Sequence, residues 1–187
     1  MPTFKPQTPT IVDPTGVPLG NEPRPMGTST DMSRAEVVDE TGGEPLADFD
    51  STSNPYIDYQ SIDLLLTLQH PRSDAYDETC FFIMGQVKEL LFKSLHFELH
   101  NARHLIRDDQ VHDALMVLDR SLEITKLLIN TWDVVATVSA EGFNQFRDHL
   151  DQASGQLSFM FRHVEFILGN KDRSLASAHR NVPHVWP

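Results

Sequence analysis

The chain has 187 residues, which is enough for one domain with a hydrophobic core. Its formal net charge is −12, whereas proteins that bind nucleic acid or anionic membranes are usually basic, so neither partner is expected. A single cysteine, Cys80, excludes an internal disulfide and favours a reducing, cytoplasmic compartment. No apolar run reaches the roughly 18 residues of a membrane span, so no transmembrane helix is predicted.

The first 54 residues differ in composition from the rest of the chain. They contain eight of the twelve prolines, and nine acidic residues against three basic ones. Phe4 and Phe49 are their only aromatic residues. Such a segment cannot bury enough apolar surface to offset the entropy that is lost on ordering. We therefore predict a disordered, acidic, Pro/Gly-rich arm over residues 1–54, within which residues 34–38 are the one candidate helix.

Helices are predicted from residue 55 onward. A short helix covers residues 62–68 and is stopped by Pro71. Apolar residues then recur at spacings of three and four over residues 77–107, which predicts one long helix. Its expected apolar face consists of Phe81, Met84, Val87, Leu90, Leu91, Leu95 and Leu99.

A second long helix is predicted over residues 110–138. Its expected apolar face consists of Val111, Ala114, Leu115, Leu118, Leu122, Ile124, Leu127, Leu128 and Val135. A third helix starts near Ser139, a residue type that suits an N-cap. Ser154-Gly155 interrupts it or opens the next helix, which ends at Gly169-Asn170 in a left-handed turn. Since no segment alternates with period two, the predicted fold class is all-α, a bundle of long antiparallel helices.

Three histidines could bind a metal ion. His96, His100 and His104 lie four residues apart and therefore share one face of the first long helix. Two histidines at this spacing can chelate zinc or another metal. A solvated polar face explains the same pattern, and we favour that interpretation. Cys80 lies among apolar residues and is interpreted as a small hydrophobic side chain rather than a nucleophile.

Three arginines could bind a carboxylate. Arg103, Arg147 and Arg162 each carry a guanidinium, which can hold a carboxylate through two parallel hydrogen bonds. Ser154-Gly155 could cradle an anion at a helix start. Surface ion pairs and a helix cap are the simpler interpretations of these residues. Composition and periodicity alone therefore indicate an acidic helical domain with an N-terminal arm, and no specific activity.

A series of segments matches one protein family in order and spacing. The segments are Tyr56-Ile57-Asp58-Tyr59, Ile62-Asp63-Leu64-Leu65, Gln69, Asp77-Glu78, Phe81, Gln86, Glu89-Leu90, Lys93, Glu98-Leu99, Trp132, Phe146-Arg147, Ala153-Ser154-Gly155 and Glu165-Phe166-Ile167-Leu168-Gly169-Asn170-Lys171. Over residues 56–171 the chain resembles the tryptophan 2,3-dioxygenases, haem enzymes that open the indole ring of tryptophan. The resemblance implies a helical, usually tetrameric protein that holds haem b between its helices.

The resemblance also implies roles for individual residues. Phe81 would contact the indole, and Arg147 would hold the substrate carboxylate. Trp132 would pack near the haem edge, with Ser154 and Gly155 near the haem and bound oxygen. The N-terminal half of the family supplies the distal pocket, which lies opposite the protein ligand of the iron.

Two departures from the family fall at the expected substrate site. Gly85 occupies the place of a histidine that binds the indole N–H, and Phe143 occupies the place of a tyrosine. A smaller departure puts Leu91 in the place of a tryptophan. An unpaired buried N–H costs about 1–3 kcal/mol, so the expected substrate is L-tryptophan or a related aromatic amino acid, together with O2. Tyr56 and Tyr59 match residues that the family's first helix lends to a neighbouring subunit's pocket.

The iron ligand of the family has no counterpart that the pattern identifies. His179 and His184 lie in an irregular tail, residues 172–187, which resembles no ligand helix. We therefore expect residues 55–171 to form a truncated dioxygenase-like domain that carries the distal half of a haem pocket. The expected partner is a second copy of the chain, or a chain that supplies the missing C-terminal half.

The expected activity is oxidative opening of the indole ring of L-tryptophan to N-formylkynurenine. A second interpretation is a haem-dependent oxygenase or hydroxylase of an aromatic amino acid in natural-product biosynthesis, which Gly85 and Phe143 favour. A third is a truncated, haem-free partner subunit.

Overall fold

The computed structural model describes residues 4, 5, 7, 32, 35, 36, 38, 39, 42, 54–151 and 153–177. It divides into two compact units, one of residues 1–21 with 71–187 and one of residues 22–70. Most of the predicted disordered arm lies outside the described residues, as do His179 and His184 in the tail. Disorder of the arm, the domain boundaries and the irregular tail therefore stay predictions. Ala35, Glu36 and Val38, which fall within the candidate helix of the arm, have helical backbone.

The smaller unit contains two short described helices, α1 (Pro55–Gln60) and α2 (Ile62–Leu65). Asn54 caps α1, because its Oδ1 accepts hydrogen bonds from the first-turn amides at 3.0 and 3.4 Å. Ser61 separates the two helices with a left-handed φ of 53°. The prediction of one helix over residues 62–68 was therefore too long, and it missed α1.

The larger unit is built on two long helices. Its described helices are α3 (Tyr76–Arg107), α4 (Val111–Val135), α5 (Ala140–Phe146), α6 (Phe159–Ile167) and α7 (Arg173–Ala176), and its 3-10 turns are Arg147–His149 and Gly155–Leu157. The connection of three residues between α3 and α4 makes them an antiparallel hairpin, and α5 and α6 also pack against α3. The described residues contain helices and no strand, so the all-α class is confirmed.

Local sequence signals place most helix ends correctly. α3 begins one residue before its predicted start, whereas α4 ends at Val135, three residues before its predicted end. Ser139 caps α5 as expected, since its Oγ accepts a hydrogen bond from the Gly142 N–H at 2.9 Å. Gly169 has a φ of 102°, which confirms the left-handed stop after α6.

The core lies along the hairpin in two clusters. The hairpin-end cluster consists of the buried residues Ala102, Leu105, Ala114 and Val117. The central cluster consists of Leu95, Leu128 and Val164, with Leu91, Phe92, Leu99 and Ile124 packed against it. The central cluster contains residues of α3, α4 and α6, so it holds α6 against the two long helices.

The predicted apolar face of α4 was partly wrong. Leu115, Leu118 and Leu122 are exposed, while Ser121 and Thr131 are buried on the side that meets α3. Small side chains occupy that side because they let two long helices approach closely. The hydroxyls of both buried residues donate to backbone carbonyls of their own helix, at 3.0 and 2.6 Å.

The face predicted for α3 also needs one correction, because Leu90 is exposed. Cys80, expected in the core, is a free thiol of intermediate exposure. Among the described residues no helix is long and apolar enough to cross a membrane.

Candidate functional site

Three phenylalanines from two helices meet at the start of α3. Phe81 lies 6.0 Å from Phe143 and 5.4 Å from Phe146, measured between ring centroids. Phe143 and Phe146, both on α5, are 5.2 Å apart in an edge-to-face arrangement that aromatic rings favour. We call these residues the aromatic triad. It forms an apolar wall, and Phe146 at its base is completely buried.

Phe146 was not among the predicted substrate-binding residues. Its signal in the sequence was its spacing of three from Phe143, which puts both rings on one face of α5. Phe81 and Phe143 were predicted, and the structure brings them together as ring neighbours.

A close approach between α5 and the first turn of α3 positions the triad. A Cβ on Gly142 would lie 1.9 Å from Oδ2 of Asp77 and 3.1 Å from Oγ of Ser139. Glycine therefore leaves room for the Asp77 carboxylate beside α5. Because Asp77 is one turn before Phe81, this approach brings Phe143 to the ring of Phe81.

Glu78 fixes the loop that leads into α3. Its buried carboxylate accepts hydrogen bonds from the backbone N–H groups of Arg72, at 2.7 Å, and Ser73, at 2.8 Å, and from the Ser73 hydroxyl. The bond from Arg72 is the main cause that holds the pKa of Glu78 below its ordinary value, followed by the Ser73 hydroxyl. The positive charge of His149, in the turn after Arg147, acts in the same direction.

Arg147 directly follows the base of the triad and starts the first 3-10 turn. Its side chain is exposed, and no hydrogen bond or ion pair engages it within the described part of the chain. Arg162, by contrast, is buried, pairs with Glu165 and donates from Nη2 to the Gln156 carbonyl at 2.8 Å. Arg103 is about 33 Å along α3 from Phe81 at 1.5 Å per residue. Of the three arginine candidates, Arg147 adjoins the aromatic triad with a free guanidinium.

Gly85 lies one turn after Phe81 and therefore on the same face of α3. A Cβ built on Gly85 has no other atom within 4 Å. Space for a side chain thus exists beside the triad, at the position where the family resemblance expects a histidine.

Trp132 contacts α3 further along the same face. The ammonium nitrogen of Lys88 lies 3.3 Å from the centroid of the Trp132 ring, which is a cation–π contact. Burial lowers the pKa of Lys88. The indole of Trp132 remains 61 % exposed, so most of its surface is available for a further contact.

Ser154 and Gly155 are exposed and open the second 3-10 turn. Ser154 Oγ accepts a hydrogen bond from the Gln156 N–H at 3.3 Å. Shortly after, Ser158 caps α6 and also hydrogen-bonds the carboxylate of Glu89 on α3. Burial raises the pKa of Glu89, and the bond from Ser158 partly opposes this.

The family model for tryptophan 2,3-dioxygenase matches residues 41–183. The chain belongs to the tryptophan 2,3-dioxygenase family. Tryptophan 2,3-dioxygenase 1 of Ralstonia nicotianae is 36% identical to it over 163 residues, which cover 87% of this chain and 54% of that protein. Tryptophan 2,3-dioxygenase of Pseudomonas fluorescens is 39% identical over 133 residues, 71% of this chain and 47% of that protein. The chain thus spans about half the length of the curated relatives it matches.

The two tyrosines expected to serve a neighbouring subunit's pocket lie in the smaller unit. Tyr56 and Tyr59 are three residues apart on α1, so their rings share one face of that helix. They are 66 % and 74 % exposed, respectively. This dioxygenase-family chain therefore presents both rings to its surroundings.

The histidines of α3 form a row of rings rather than a metal centre. Ring centroids are 6.3 Å apart for His96 and His100, and 4.7 Å apart for His100 and His104. Burial, then the charges of His163, His100 and Arg103, lower the pKa of His96 to about 4. In the part of the chain that is described, no group of three His, Cys, Asp or Glu side chains could hold a metal ion.

Haem is the cofactor of the tryptophan 2,3-dioxygenase family, and the described residues fit one side of it. The triad supplies an apolar surface, and Trp132 supplies an exposed aromatic face on the adjoining helix. We assign no iron ligand among the described residues.

Proposed function

We propose that this chain forms the distal, substrate-binding part of a haem-dependent tryptophan 2,3-dioxygenase. The observation that carries the proposal is the aromatic triad, whose base residue Phe146 is followed directly by the exposed Arg147. An apolar wall followed directly in the chain by an arginine suits a molecule that joins an aromatic ring to a carboxylate, which is the chemistry of an aromatic amino acid.

The proposed reaction inserts both oxygen atoms of O2 into L-tryptophan. The C2–C3 bond of the indole breaks, each carbon gains one oxygen atom, and N-formylkynurenine forms without an external reductant. Haem, when bound, supplies the activation of oxygen. The side chains of this protein bind, orient and desolvate the substrate.

Each proposed role follows from a position in the site. The rings of Phe81, Phe143 and Phe146 would contact the indole and exclude water from it. Arg147 would hold the carboxylate with two hydrogen bonds, which fixes the direction in which the ring enters. Trp132 and Ser154-Gly155 would line the haem side of the pocket, as the family resemblance implies.

Gly85 and Phe143 favour a second candidate reaction. Neither residue can accept a hydrogen bond through its side chain, and the space beside Gly85 is open. A bound indole N–H would then donate to water, or remain unpaired at a cost of about 1–3 kcal/mol. This site therefore also suits an aromatic amino acid without a ring N–H, as the substrate of a haem-dependent oxygenase or hydroxylase.

Two exposed apolar surfaces support association with another chain. One is the α1 face of Tyr56 and Tyr59, and the other is the α4 stripe of Leu115, Leu118 and Leu122. Exposed apolar stripes of this kind mark interfaces. We propose that a second copy of this chain covers them. The free thiol of Cys80 suits the reducing cytoplasm, which is the proposed compartment.

A haem and product assay tests the proposal. The purified chain is titrated with haem, alone and with the C-terminal half of a curated relative, and is then incubated with L-tryptophan and O2. N-formylkynurenine from either assembly supports the dioxygenase. The alanine variants His179→Ala and His184→Ala show whether the tail holds the iron. Absence of both a Soret band and product from every assembly would instead favour a haem-free partner subunit.

A further inference from the structure

The N-terminal segment contacts the hairpin end, although composition alone predicts that this segment is disordered. Phe4 packs against the hairpin-end cluster and is half-buried. Gln7, three residues later, exchanges two hydrogen bonds with Asn101 of α3. These contacts join residues that are 94 positions apart in the sequence.

Asn101 holds the backbone of Gln7 at two points. Its Oδ1 accepts from the Gln7 N–H at 2.5 Å, and its Nδ2 donates to the Gln7 carbonyl at 3.0 Å. The same Nδ2 also donates to the Phe97 carbonyl at 2.8 Å, which holds the amide group in place. The amide of Asn101 thus pairs with the backbone N–H and the backbone C=O of a single residue, which is the pairing that a neighbouring β-strand would offer.

This arrangement explains why a fully buried asparagine lies in the middle of a long helix. Asn101 is 2 % exposed, and a buried amide without partners would cost about 1–3 kcal/mol. Its oxygen has the Gln7 N–H as its partner. The side chain of Gln7 is exposed, so the contact depends on the backbone and is independent of that side chain.

Phe4 supplies the apolar part of the contact. The hairpin-end cluster contains two alanines, Ala102 and Ala114, and Phe4 packs against it. A phenyl ring in this contact removes apolar surface of both elements from water. Phe4 is one of two aromatic residues among the first 54, so few other residues of the arm could replace it.

We propose that the hairpin end of α3 and α4 is a docking site for a peptide with a phenylalanine three residues before a backbone-paired position, and that Phe4 and Gln7 of the same chain occupy it. The Phe4 ring determines which peptide sequences bind, and Asn101 determines which residue of the peptide is paired with α3. Asn101 lies about 30 Å along α3 from Phe81, so the docking site is independent of the proposed substrate pocket.

Hydrogen exchange of the full chain, followed by NMR, tests the proposal. The Gln7 amide should exchange at least about tenfold more slowly than in a free peptide of the same sequence. The amide of Lys5, which is exposed, provides an internal reference. Phe4→Ala and Asn101→Leu, which removes the acceptor Oδ1 at similar volume, should both return the Gln7 amide to the peptide rate. Gln7→Ala is the matched control and should keep the protection, because it removes only the exposed side chain.

Three results would overturn the proposal. The first is a Gln7 amide that exchanges at the peptide rate in the unaltered chain. The second is a Gln7→Ala variant that loses protection as Phe4→Ala does, since that would assign the contact to the side chain. The third is protection that disappears on dilution, which would make a second copy the source of the segment. Amides of α3 near Phe81 report whether Asn101→Leu still folds, and Phe4→Ala serves as the test if it does not.

Discussion

Phe81 and Phe146 belong to different helices, and their ring centroids lie 5.4 Å apart. Phe146 ends α5 and is completely buried, so the residue that follows it, Arg147, starts its turn from a fixed point. The packing of two phenylalanines thereby sets where the backbone of Arg147 begins its turn.

Substitution of Gly85 by histidine should favour ligands that carry an indole N–H. The new imidazole would lie one turn from Phe81, where a Cβ meets no other atom within 4 Å, and its nitrogen could accept a hydrogen bond from the indole N–H. We expect affinity for L-tryptophan to rise by up to about tenfold, and affinity for 1-methyltryptophan to stay unchanged. Ligand titrations of Gly85→His and of the control Gly85→Ala provide the comparison. An equal gain for both ligands would refute the contact.

Alanine at the two helical glycines of the site should have different effects on stability. Gly85→Ala adds a methyl group in open space and should raise the free energy of unfolding by about 1 kcal/mol. Gly142→Ala should gain less or lose stability, because its Cβ would lie 1.9 Å from the Asp77 carboxylate. In the background Asp77→Ala, the gain from Gly142→Ala should return. Thermal unfolding of the four variants checks this, and equal gains for both glycines in the unaltered background would contradict the close approach.

Glu78 should make the folded chain less stable as the pH falls. Because its folded pKa is lowered, its contribution is fully present above the ordinary value of 4.5 and is lost as the pH falls through the lowered pKa. Glu78→Gln should therefore melt at a lower temperature than the unaltered chain at pH 7, and the difference should shrink at acid pH. Melting temperatures over this pH range measure the effect. A difference that does not vary with pH would show that the carboxylate's charge is unimportant.

His96 should also make stability depend on pH, at higher pH values than Glu78 does. Its folded pKa of about 4 lies below the ordinary value of 6.5, so its contribution to stability is complete above 6.5 and falls as the pH drops toward 4. His96→Gln should reduce the loss of stability between these two values. His112→Gln, on an exposed histidine of α4, is the matched control. If both variants show the pH dependence of the unaltered chain, burial of His96 is not its cause.

Signals from neighbouring residues in the sequence predicted correctly those helices and turns whose bounds depend on nearby residues. Periodicity placed α3, a serine hydroxyl placed the start of α5, and glycine placed the left-handed turn at Gly169. The side of α4 that faces α3 could not be predicted in full, because α4 is apolar around most of its circumference. Close packing then selects small residues such as Ser121 over larger ones such as Leu122.

Only part of the site could be predicted, because burial depends on how the helices pack together. Family resemblance led to Phe81, Phe143 and Arg147, and the structure brings the two phenylalanines together. Phe146 was missed because burial, which makes it the base of the triad, depends on the packing of α5 against α3. The contact between Gln7 and Asn101 has no local signal, since the two residues are far apart in the chain.

The pairing of a ligand carboxylate with Arg147 is the central claim, and a binding cycle tests it most directly. Two ligands are compared, L-tryptophan and tryptamine, which lacks the carboxylate. Each is titrated into the purified chain, into Arg147→Ala and Arg147→Lys, and into the exposed-arginine control Arg107→Ala. Binding is followed by NMR shifts of the Phe81, Phe143 and Phe146 rings. We predict that Arg147→Ala weakens L-tryptophan binding by about tenfold or more, that lysine restores only part of it, and that tryptamine and the Arg107 control are unaffected. Equal losses for L-tryptophan and tryptamine, or none for either, would contradict the claim.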